Sequence, residues 1–179
     1  NLSLSADQTA TFVSREISRT GKASGDIFRE VQGFADQVEK QTGISSKMIV
    51  GNVEKIIRST ETFGNVTVDE AARISVTLRQ LGIGYEELGG MVNRFTSFDQ
   101  AAQSVSALTT VFGVQLDAME MMHLANEDQE SFLRRMREQF LMTGKSVQEM
   151  TRAEKLLIAE QLSLSGIQAV ERLFDPTQT

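Results

Sequence analysis

Helices with both ends written into the sequence leave this chain few folds to choose from. Ser or Thr followed three residues later by Glu or Gln occurs at Ser5/Gln8, Thr67/Glu70, Ser97/Gln100, Ser146/Glu149, Thr151/Glu154 and Ser165/Gln168. In such a pair the hydroxyl accepts from an unpaired amide of the first turn, and the longer side chain reaches back to the N–H of the cap. Each pair predicts a helix start. The ends are written in glycine, at Gly43, Gly64, Gly82, Gly113, Gly144 and Gly166, within junctions such as "TGISS", "LGIGYEE" and "FGVQLD". Glycine reaches the left-handed conformation that closes a helix, and an apolar residue just after it can fold back on the last turn. The lone proline, Pro176, lies four residues from the end, so glycine alone punctuates the interior.

The apolar spacing agrees with this reading. Ile27, Val31, Phe34 and Val38 share one helical face, as do Val68, Ala71, Ala72, Ile74, Leu78 and Leu81. Phe98, Ala101, Ala102, Val105, Leu108 and Phe112 form a third stripe, and no stretch sustains the alternation of a strand. These signals predict helices near 6–19, 24–41, 46–61, 67–81, 85–94, 97–112, 115–125, 128–142 and 151–173, the last interrupted near Ser165. The expected fold is all-α, an array of short capped helices joined by glycine corners. Residues 1–42 read as a leading helical segment and 43–179 as a compact multi-helix module. The glycines are separated by 21, 18, 31, 31 and 22 residues, which is not the fixed period of a solenoid.

Composition narrows the function classes. With no Cys there can be no disulfide, thiolate metal site or cysteine nucleophile. Residues 1–90 carry 10 Lys and Arg against 12 Asp and Glu, and residues 91–179 carry 8 against 12, so both halves are mildly acidic. A duplex binder clusters basic residues to neutralise phosphates. The nearest cluster, Arg134, Arg135 and Arg137, is interleaved with Glu130 and Glu138 and reads as a solvated helix side. Every apolar run is broken well short of the roughly 18–20 residues that a membrane span needs.

The only histidine, His123, follows Glu120 by three residues. Glu-x-x-His on one helix is the unit of carboxylate-bridged di-metal bundles, but such a site needs a second pair and further carboxylates. The chain has no second histidine, so His123 reads as the polar end of a helix, where positive charge suits the carbonyl terminus. No G-x-S-x-G elbow accompanies it, and the adjacent Glu86 and Glu87 point to different sides of a helix. "GIGYEELGG" lacks the lysine and the preceding strand of a phosphate-binding loop. The expectation is a protein without enzymatic activity, catalytic residues, bound metal or cofactor.

Residues 68–95 could pair as a helix-turn-helix, though its second helix would open on Tyr85-Glu86-Glu87 and bring two carboxylates toward phosphates. Met119, Met121, Met122, Met136, Met142 and Met150 crowd the last third, and are expected mainly to fill the core rather than form an adaptable surface.

From Phe95 to Phe174 the order of elements resembles a region of the tail tape-measure proteins of large contractile-tailed bacteriophages. The resemblance rests on a Phe-led helix at Phe98 and the junction Phe112-Gly113-Val114-Gln115-Leu116. An Ala-bearing helix follows at Ala125, then a helix with Phe132 and Met136, the turn at Gly144, and "MTRAEKLLIAEQLSLSG" before the last corner. Upstream, "LSLSADQTATFVSREISRTG" and "FGNVTVDEAARISVTLRQLGIGYEELGGMVN" echo the same corners. The sequence departs at "LANED", where a glycine-aspartate turn would be expected. The resemblance implies a multi-copy structural protein inside the tail. Its partners would be other copies of itself, the tail tube and the baseplate hub, with no specific nucleic acid and no stable membrane span. It further implies a location in the virion, roles in tail length, tube assembly and genome ejection, and a parent chain much longer than 179 residues. Its glycine breaks suit an anchoring or tip module rather than the uninterrupted measuring helix.

Overall fold

Capping and apolar periodicity produce helices throughout the part of the chain that the computed structural model describes, residues 24–58 and 66–177. In order these are α1 (Ser24–Thr42), α2 (Ser46–Arg58), α3 (Val68–Leu81), α4 (Tyr85–Phe95), α5 (Phe98–Phe112), α6 (Ala118–Glu127), α7 (Gln129–Met142), α8 (Arg152–Leu162) and α9 (Ile167–Leu173). A 3-10 turn, Val147–Glu149, precedes α8, and no strand occurs among the described residues. The fold is therefore all-α, as expected. The helix predicted at 6–19, the Ser5/Gln8 pair and Gly64 lie outside the described residues.

The helix-start rule holds in full at two of the predicted sites. Thr67 and Glu70 exchange bonds of 3.1 Å in both directions, and Thr151 and Glu154 do so at 3.1 and 3.2 Å. The backbone N–H of Thr151, and then its side chain, hold the exposed Glu154 carboxyl below the usual carboxylate range. Elsewhere the hydroxyls do other things. Ser97 starts α5 without a side-chain cap, Ser146 turns to Gln148, and Ser165 gives way to Gly166 as the first residue of α9's cap. Two caps are aspartates instead: Asp117 accepts from the N–H of Glu120 at 2.8 Å, and Asp128 from that of Ser131 at 3.1 Å. Asp128 both ends α6 and starts α7, so "LANED" turns the chain without the glycine that the resemblance led us to expect.

Gly43, Gly82, Gly113 and Gly144 take φ between 70° and 76°, as glycine helix ends require. The residue after Gly113 shows the fold-back: Val114 is 1% exposed, and its N–H reaches the Leu108 carbonyl. The corner near Gly166 differs from expectation, because Gly166 is extended (φ 170°) and the left-handed residue is Ser163, at φ 53°.

By compactness the chain divides into two units, Asn1–Arg79 and Gln80–Thr179. Gly43 lies within the first unit. It closes a corner at which Glu39 accepts from the N–H of Ser46 at 3.1 Å, and α1 packs on α2. Val31, Ala35 and Val38 are buried on α1, and Ile49, Val50, Val53, Ile56 and Ile57 on α2.

In the second unit α4 packs against α5, α6 and α8. It buries Leu88, Met91, Val92 and Phe95. The Phe95 ring meets Phe132 of α7 edge-on at 5.2 Å, and Phe140 stacks on Phe174 at 4.0 Å; such pairs contribute about 0.5–1.5 kcal/mol beyond the area they bury. The expected α5 stripe needs correction. Phe98 is 47% exposed, while Ser104 is fully buried between Ala101 and Leu108.

Gly90 marks the closest approach of α4 to the α8–α9 corner, since a Cβ there would lie 2.6 Å from the Ser163 carbonyl oxygen. Gly90→Ala should destabilise the second unit by about 1–3 kcal/mol, the range for overpacking a close contact. Gly33→Ala, in the middle of α1 with nothing near its added methyl, should instead stabilise by about 0.5–1 kcal/mol. Denaturant midpoints of the two variants should move in opposite directions.

Because the folded Glu154 carboxyl titrates below its unfolded value, its contribution is present above the ordinary carboxylate value of about 4.3 and fades as pH falls through the lowered folded value. Amide exchange in the first turn of α8, corrected for intrinsic rates, should therefore accelerate on acidification. Glu154→Gln should remove that acid-dependent part.

Candidate functional site

The residues singled out from the sequence are drawn into structural pairs rather than into one site. Glu120 accepts from Nε of Arg135 at 2.8 Å, tying α6 to α7, while His123 lies exposed on α6. Among the described residues no group of three His, Cys, Asp or Glu side chains is placed to hold a metal ion. Arg134 pairs with Glu130 one turn earlier on the same helix. Arg137 donates to the Asp175 carbonyl at 2.6 Å. The three arginines thus serve three separate partners and do not form a basic face of the kind that phosphates require.

Glu87 accepts from the backbone N–H of Ser165 at 2.9 Å and also from its hydroxyl. This brings α4 to the α8–α9 corner from 78 residues away in sequence. On α4 only Glu86 and Asn93 are fully exposed, because the helix is covered by three neighbours. A recognition helix must offer a whole face to a groove, and α4 spends its faces on packing.

Sequence reasoning missed the polar node beneath α4. Nε of Arg94 donates to Oγ of Ser104 at 2.7 Å, and the Ser104 hydroxyl donates to the Gln161 carbonyl at 2.8 Å. Arg94 also reaches the Gln161 side chain at 3.4 Å, so α4, α5 and α8 meet at one buried hydroxyl. The signal was present: Ser104 lies three residues after Ala101 and four before Leu108, on the apolar stripe itself. A buried hydroxyl needs partners, and this one binds three helices together.

The methionines divide. Met121 and Met136 are buried, as is Met91, but Met142 is 72% and Met119 57% exposed. Met142 and Leu141 line an open groove of ≈ 410 Å³ on α7 with Arg134, Arg137 and Glu138. A second groove of ≈ 340 Å³ runs beside Gln115, Leu116, Asp117, Glu120, Arg135 and Gln139. Its carboxylates are already engaged in capping α6 and in the Arg135 pair. At the end of α5, Lys145 donates to the Val111 carbonyl at 3.5 Å and lies 5.8 Å from the Phe112 ring centroid. The two grooves combine exposed apolar side chains with charged groups that already have partners on the protein. Among the described residues no helix is long and apolar enough to cross a membrane.

Glu120 and Arg135 are each about two-fifths exposed, so a double-mutant cycle on Glu120→Ala and Arg135→Ala should give a coupling below about 1 kcal/mol. Zinc at about 100 µM should leave the melting temperatures of the wild type and His123→Ala unchanged, since only a ligand that prefers the folded state raises them. A zinc-dependent rise that His123→Ala abolishes would revive the Glu-x-x-His site.

Comparison with known protein families, with curated proteins and with solved structures yields no match to this chain.

Proposed function

We propose that this chain is a structural module of a phage tail tape-measure protein, acting as an anchoring or tip element in tail assembly. One observation carries the reading: an ordered succession of short helices, each turned at a defined corner, in the order in which the resembling tail proteins place them. What supports the anchor role is helix length. The longest described helix, Ser24–Thr42, has 19 residues and so spans about 28 Å at 1.5 Å per residue. A ruler gains length in proportion to its residues only when the chain is extended, and residues packed around α4 add little length. On this reading the module contacts other copies of itself, the tail tube or the baseplate hub inside the virion, and catalyses nothing.

The helix-turn-helix alternative at 68–95 finds no comparable support. Its second helix is α4, with Leu88, Met91, Val92 and Phe95 turned into the core and Glu87 bound to Ser165.

The test is made in a phage that carries the parent gene. In-frame deletion of 80–179, or equal-sized deletions within 43–173, should abolish tail assembly. Tails that assemble but shorten in proportion to the residues removed would refute the anchor role.

A further inference from the structure

The second unit begins and ends at the same place. Gly82, just inside its first residues, lies against Arg172 of α9: Nη1 of Arg172 donates to the Gly82 carbonyl at 3.4 Å, and a Cβ on Gly82 would lie 3.6 Å from Cδ of Arg172. Five residues on, Glu87 grips Ser165 through both its backbone N–H and its hydroxyl. Behind this corner the last helix is held from the other side. Lys155 pairs with Glu171 at 2.8 Å, Arg137 binds the Asp175 carbonyl, and Phe174 stacks on Phe140.

We infer that this corner is a tension-bearing clasp: a pull on the two ends of Gln80–Thr179 is borne first by the Gly82–Arg172 and Glu87–Ser165 contacts, and the unit yields there before its core does. Chain topology is the reason. Force entering at Gln80 and leaving beyond Phe174 must cross the gap that these contacts bridge: Arg137–Asp175 and Phe140–Phe174 fasten the outgoing end to α7, the Gly82–Arg172 and Glu87–Ser165 contacts fasten the incoming end to the last helix and its corner, and the α5–α6 packing lies between the loaded ends. The clasp contacts are surface hydrogen bonds. Each contributes little at equilibrium, yet they stand in series with the pulling direction. Within any longer chain the unit would act as a closed loop that opens at a built-in seam when its ends are drawn apart. The inference rests on the geometry of this unit alone and does not require the tail reading.

The absence of cysteine makes the test clean, because two introduced thiols are the only attachment points in these 179 residues. In one pair, Gln80→Cys with Thr177→Cys, the handles load the clasp. In the other, Gln103→Cys with Glu138→Cys, both clasp contacts lie outside the loaded path. Constant-force pulling is then compared with and without Glu87→Ala. The clasp predicts that Glu87→Ala speeds unfolding several-fold more with the end handles than with the internal handles. Arg172→Ala should repeat the asymmetry, and Glu120→Ala, whose pair with Arg135 lies away from the corner, should not show it. An equal acceleration in both geometries, or none with the end handles, would overturn the inference.

Discussion

The second unit depends on how closely α4 can approach the end of α8. Gly90 leaves no side chain between its own backbone and the Ser163 carbonyl, and that clearance lets the flanking side chains reach their partners. Glu87, one turn earlier on α4, then lies within bonding distance of Ser165, and Arg94, one turn later, meets Ser104 and Gln161. Leu88, Met91, Val92 and Phe95 fill the remaining faces of the helix. A methyl group at position 90 would push the two backbones apart, and the polar contacts on either side would have to stretch together. Neighbouring contacts of this kind are not additive, which makes α4 the element whose position sets the rest.

Much of this was legible in the sequence. The α3 stripe from Val68 to Leu81 is buried residue for residue, and the capping boxes at Thr67 and Thr151 form as written. Four glycines adopt the left-handed conformation their positions demand. What escaped the reading has identifiable causes. Asp117 and Asp128 cap helices without fitting the Ser/Thr-x-x-Glu/Gln pattern, although aspartate is as good a cap as serine. Ser163, and not Gly166, takes the left-handed turn, because the corner is held from outside by Glu87 and Gly90. Long-range contacts of that kind leave no local signature.

Which partners the candidate residues take could be read only from the fold. Glu120 and His123 share a helix turn, but Glu120 is turned to Arg135. The arginines at 134, 135 and 137 look like a patch in one dimension and separate onto different partners in three. The exposed Met119 and Met142 could not be told from their buried neighbours by spacing, since both kinds occur within two short helices.

The central claim is that α4 is an internal, packed helix rather than a presented one. Residue-resolved amide hydrogen exchange on the intact chain tests it most directly. The account predicts that the slowest-exchanging amides of the second unit fall within Met91–Phe95 and in the α5, α6 and α8 residues packed around it. Protection in that segment no greater than at the exposed Asn126 and Glu127 that end α6, with slow exchange confined to other helices, would contradict it.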